Sequence, residues 1–112
     1  MPSERSAQAW ADIAQHARYA LEWTGDLSAE AFAADAMRFH AVTRALSIIS
    51  EAGRRLEAAE RERRPELPWK EITGAGNVYR HDYDDVSPEI VWLTVKRRVP
   101  EILAAAEAAL AG

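Results

Sequence analysis

The sequence predicts an all-α fold, a small bundle of four to five helices, and three observations carry that prediction. Alanine is abundant and β-branched residues are sparse outside two short runs, which favours helix. Apolar residues recur at three- and four-residue spacing in successive segments instead of alternating. Glycine, proline and hydroxyl or acidic caps punctuate the chain at intervals that suit short connections between neighbouring helices.

A first helix is predicted over 6–23. Trp10, Ile13, Ala14, Ala17 and Leu21 make its apolar face, and Gly25 is a natural stop. Asp26 or Ser28 can cap the next helix. That second helix is read as one long element over 29–63, ended by Pro65, with Val42, Ala45, Leu46, Ile49, Ala52, Gly53 and Leu56 as its buried stripe. Gly53 costs about 1 kcal/mol against alanine in mid-helix, so it marks close packing on a neighbour. The tract 54–64 is dense in Arg and Glu. It reads as a solvated helix end with Glu–Arg pairs rather than an RNA-binding tract, because the Glu residues cancel the charge.

Pro68 suits the first turn of a third helix running from 69 to 82 or 83, weakened by Gly74 and Gly76. Ser87-Pro88-Glu89 starts a fourth: a hydroxyl cap, proline at the first position and acid in the first turn. Pro100 breaks it at Val99. A last short helix covers 101–110.

At 112 residues the chain suits a single domain, 1–112. A domain this small gains apolar burial by dimerising. No stretch approaches the ~20 apolar residues of a membrane span. The N-terminus lacks a signal-peptide layout and cysteine is absent, so the expected compartment is the cytoplasm. A net charge of −4 argues against coating nucleic acid through a global field, while leaving room for a local RNA site.

The segment with chemistry is Gly76-Asn77-Val78-Tyr79-Arg80-His81-Asp82-Tyr83. A histidine titrates near neutrality and can take the proton of a ribose 2′-OH. A guanidinium can stabilise charge on a scissile phosphate, and a tyrosine can donate to phosphate or stack on a base. That route needs no metal and no cofactor. His16 and His40 have no partner at metal spacing and read as ordinary surface or boundary residues. The four tryptophans read as core or dimer-seam residues. Asp82, Asp84 and Asp85 read as a solvated turn and cap. Their functional alternatives are to orient His81 or to screen Arg80. Lys96-Arg97-Arg98 suits a helix C-terminus, or the flank of an RNA cleft.

Over nearly its whole length the chain resembles HepT-type HEPN proteins. The resemblance rests on Pro65 through Gly74, Asn77, His81-Asp82-Tyr83 and Glu89-Ile90-Val91-Trp92. Upstream it includes Asp35, Ala41-Val42 and Leu46 through Ala52; downstream, Val99 through Leu103. It implies a HEPN-like homodimeric bundle with its site in the dimer cleft. It also implies a metal-independent endoribonuclease, the toxin of a toxin–antitoxin pair. The implied partner is a minimal nucleotidyltransferase antitoxin, which in some systems transfers AMP to the motif tyrosine. Carried onto this chain, His81 is the catalytic histidine, Tyr83 the motif tyrosine and candidate AMP acceptor, and Asn77 the polar residue after the family's arginine. That arginine position, four intervening residues before His81, holds Gly76.

Three readings of Gly76 stand. Arg80, one turn on and leaning toward the N-terminus, substitutes as the clamp. Alternatively, the protein is a weakened or inactive dimeric module that still binds a nucleotidyltransferase. Or the glycine is a detoxifying substitution. An unreplaced clamp would cost on the order of 2–4 kcal/mol of transition-state stabilisation.

Overall fold

The computed structural model describes residues 2–81 and 86–112, and within it the side chains of Arg80 and His81 are not described. The described residues form seven helices and no strand: α1 (Glu4–Thr24), α2 (Ala29–Ala33), α3 (Ala36–Arg55), α4 (Ala58–Glu62), α5 (Trp69–His81), α6 (Pro88–Arg97) and α7 (Val99–Ala111). Five are long and two are single turns.

α1 begins where Ser3 accepts the Ser6 amide through its hydroxyl and ends at Gly25, whose φ of 51° only glycine adopts without strain. Its buried stripe is Ala9, Trp10, Ile13, Ala14, Ala17 and Ala20. The small alanines let α3 and α7 pack closely along it, and these are the two broadest helix contacts in the molecule. Ala45 and Ala52 on α3 and Ala105 and Ala106 on α7 answer from the other side. Trp10 is fully buried and its indole donates to Glu60 Oε1 at 3.0 Å, while Arg63 holds the other carboxylate oxygen at 2.8 Å. A buried carboxylate needs both partners, and this pair ties α4 to the core.

The single long helix expected over 29–63 is three. Ser28 caps α2, whose Phe32 turns inward to full burial. The chain then breaks at Asp35, which caps α3 by accepting the Arg38 amide. A straight helix could not bury both Phe32 and the Val42–Ile49 stripe on one face. The second break falls at Leu56, buried with extended backbone (φ −65°, ψ 139°). Ser6 Oγ accepts the Glu57 amide there, and Arg61 donates to the carbonyls of Gly53 and Leu56. These tertiary partners outweigh the uninterrupted helical propensity of the segment.

α6 starts as expected: Ser87 Oγ accepts the Ile90 amide and Pro88 opens the first turn. The chain turns at Arg98, and Val99 already belongs to α7 with Pro100 in its first turn. Among the described residues no helix is long and apolar enough to cross a membrane.

Candidate active site

The site residues lie on α5, which runs back along α3. Part of the seam between the two helices is held by polar side chains on backbone atoms. Ser50, buried, donates through Oγ to the Thr73 carbonyl at 3.2 Å and accepts the Gly76 amide at 2.9 Å. Arg54 donates through Nε to the same Thr73 carbonyl at 2.7 Å. Ser50 reaches bare backbone because α5 has little side-chain bulk between Thr73 and Gly76. The same stripe of α3, at four-, three- and four-residue steps, carries Thr43, Ser47, Ser50 and Arg54. The hydroxyls of Thr43 and Ser47 are buried with no hydrogen-bond partner.

Gly53 sits farther along the seam. A Cβ there would meet Thr73 Cγ2 at 3.5 Å, Ile72 Cγ2 at 3.6 Å and Trp69 Cζ3 at 3.8 Å. The close packing expected at Gly53 is therefore real, and α5 is the neighbour. It leaves room for one carbon.

Gly76, at the position of the missing arginine, is buried against α3. Asn77 is exposed. Lys70, Thr73, Asn77 and position 81 form one stripe of α5 at three-, four- and four-residue steps. Position 80 follows Gly76 by one turn. The structure thus brings Asn77 and the backbone of Arg80 and His81 onto one helix beside the Ser50–Arg54 seam. The side chains of Arg80 and His81, and Asp82, Tyr83, Asp84 and Asp85 altogether, lie outside the described residues.

The opposite flank of α5 is different. Ala75 and Tyr79, each two residues and about 200° from Asn77, line an apolar cleft of about 200 Å³ with Ile49, Ile72, Arg98 and Ile102. Burial raises the Tyr79 phenol above its ordinary pKa of 10.0. Tyr79 stays protonated at neutral pH and is no base.

The basic residues near the site divide by what they hold. Arg55 pairs with Asp12 at 2.7 Å, and Arg61 and Arg63 serve carbonyls and Glu60 as described above. Lys96 donates to the Gly25 carbonyl at 2.7 Å and lies over Trp92, which makes it a cap for α1. His16 bonds the Asp12 carbonyl through Nδ1, and His40 is exposed. Among the described residues no group of His, Cys, Asp and Glu could hold a metal ion. Sequence reasoning missed Ser50 and Arg54. The sequence signal was the four-, three- and four-residue spacing of Thr43, Ser47, Ser50 and Arg54, which marks a polar stripe but not the backbone atoms it meets.

The family model described as ribonuclease HepT-like matches residues 4–109. The chain belongs to the ribonuclease HepT-like family. Among its relatives, a protein of Methanocaldococcus jannaschii provisionally named an RNase is 38% identical over 101 residues, covering 89% of this chain and 93% of the relative. Another so named, from Caldanaerobacter subterraneus subsp. tengcongensis, is 34% identical over 90 residues, 80% of each chain. A Thermococcus cleftensis protein with the provisional name ribonuclease HepT is 33% identical over 91 residues, 81% of this chain and 83% of its own length. No solved structure matches this chain.

Proposed function

We propose that this member of the HepT-like family is a metal-independent endoribonuclease and the toxin of a toxin–antitoxin pair. The observation that carries the reading is the family match across residues 4–109 together with the exposed Asn77 and the backbone of positions 80 and 81 in the last turns of α5. His81 acts as general base on a ribose 2′-OH. The 2′-oxygen attacks the adjacent phosphorus and the 5′-oxygen leaves as it gains a proton, giving a 2′,3′-cyclic phosphate and a 5′-hydroxyl. Arg80 stands in for the missing arginine and stabilises the phosphorane charge, with Asn77 and Tyr83 as hydrogen-bond donors. The chain works as a homodimer with RNA in the cleft between copies. A minimal nucleotidyltransferase antitoxin silences it by transferring AMP from ATP to the Tyr83 phenol, with pyrophosphate leaving.

One observation favours a second reading. Position 76 is packed against α3 and carries no cation. A catalytically inactive dimeric module that only binds the nucleotidyltransferase would retain everything else.

Growth arrest and RNA cleavage decide between them, measured for this sequence, Gly76→Arg and Gly76→Arg/His81→Ala. The first reading expects cleavage by the sequence as it stands. Toxicity only in Gly76→Arg, abolished by His81→Ala, establishes the second. No cleavage by any of the three contradicts the ribonuclease reading.

A further inference from the structure

We infer that Arg54, reaching over from α3, is a phosphate-binding residue for single-stranded RNA at this site; this rests on the ribonuclease reading above. Arg54 is exposed, and its one hydrogen bond among the described residues runs from Nε to the Thr73 carbonyl at 2.7 Å. A guanidinium has five N–H donors in a rigid fork. Anchoring one on a backbone carbonyl restrains the group and leaves the terminal amino donors for a ligand. Arg55, Arg61 and Arg63, in the same tract, are committed to Asp12, to two carbonyls and to Glu60. Among the described residues, Arg54 is exposed, held by a single backbone carbonyl and has no acidic partner.

Its position fits an RNA backbone passing the site. The Thr73 carbonyl points along α5 toward Asn77, one turn on, and position 81 is a further turn away, roughly 12 Å in all. Arg54 therefore holds a phosphate neighbouring the scissile one, and Arg80 remains the candidate for the scissile group. Need and supply agree. The chain carries a net charge of −4 and three aspartates follow His81 within four residues, so its overall field repels RNA. Attraction must come from locally fixed cations. Position 76 provides none, and Arg54 lies within a turn of it across the seam.

The test uses the full-length His81→Ala chain, which binds without cutting, a labelled single-stranded RNA oligonucleotide, EDTA throughout and a salt series. Arg54→Gln is expected to weaken binding about tenfold and to reduce the slope of log affinity against log salt by about 0.7, one phosphate contact on a single strand. Arg54→Lys keeps the slope and part of the affinity. Arg5→Ala, which removes an exposed cation from α1, changes neither. Unchanged affinity and slope in both Arg54 variants, with RNA still bound by His81→Ala, overturn the inference and leave the ribonuclease reading standing. So does a glutamine variant that loses affinity with a lowered melting temperature and an unaltered slope, because Arg54 is then only a clamp on Thr73. If Arg54→Gln does not fold, Arg54→Met takes its place with the same outcomes. If His81→Ala binds no RNA at all, the ribonuclease reading fails and this inference fails with it.

Discussion

The α1–α3–α7 core and the α3–α5 seam share a helix and are built on opposite principles. Toward the core, α3 offers Val42, Ala45 and Ala52, and packing there is apolar, with small residues and close backbones. On its α5 side it offers Ser50 and Arg54, and what they grip is backbone: the Thr73 carbonyl and the Gly76 amide. Apolar packing is non-directional and tolerates small slips. A hydrogen-bonded grip on named backbone atoms sets axial position and rotation. The difference explains how one short helix can hold Asn77 and His81 at a fixed angle to α3, although glycines at 74 and 76 weaken it.

The largest effect belongs to the core. Trp10→Ala removes a fully buried ring and the indole partner of Glu60, and should cost about 3–5 kcal/mol, read as a lower midpoint in chemical unfolding. A loss below about 1 kcal/mol would mean that the Trp10–Glu60 tie is not part of the stabilising core. Next comes the seam. Ser50→Ala deletes two hydrogen bonds while keeping the packing, for about 1–3 kcal/mol. RNA cleavage should fall further than stability alone explains, since α5 loses its registration. Equal cleavage per folded molecule would show that the Ser50 grip does not register α5.

That contrast was half legible in the sequence. The apolar stripes of α1 and α3, the Gly25 stop, the Ser87-Pro88 start and the break near Pro100 all follow from spacing and capping. The division of 29–63 did not, because its causes are tertiary. Phe32 turns inward, and the backbone groups freed at Leu56 and Glu57 are met by Ser6 and Arg61, of which Ser6 is 51 residues away from Glu57 in sequence. Ser50 and Arg54 were hidden for a related reason: their partners are backbone atoms, which no residue pattern displays. The proposed roles of His81, Asn77 and Arg80 rest on the family resemblance, because an ordinary His-x-Tyr beside an arginine does not by itself mark a site.

Smaller effects sharpen the seam. Gly53→Ala places its methyl at 3.5–3.8 Å from Thr73, Ile72 and Trp69, in ordinary contact. It should stabilise the protein by about 0.5–1 kcal/mol through helix propensity, seen as a higher melting temperature. Destabilisation would show that α3 and α5 must approach more closely than one methyl permits. The smallest effect is confined to alkali. Tyr79 has a folded pKa raised above 10.0 by burial. Below pH 10 the phenol is neutral in both states, and the contribution to stability is fully present. Above it the unfolded phenol ionises first, and that contribution is lost as pH rises through the folded value. Tyr79→Phe should flatten the decline above pH 10 in a stability–pH profile and change nothing at neutrality.

In the reaction we propose, His81 drives attack by a ribose 2′-oxygen without metal, and the ends of the RNA products report that chemistry. Cleavage of a labelled single strand in EDTA should leave 2′,3′-cyclic phosphate and 5′-hydroxyl termini, with no products from His81→Ala. Termini bearing 5′-phosphate, cleavage that EDTA abolishes, or the same products from His81→Ala would contradict it.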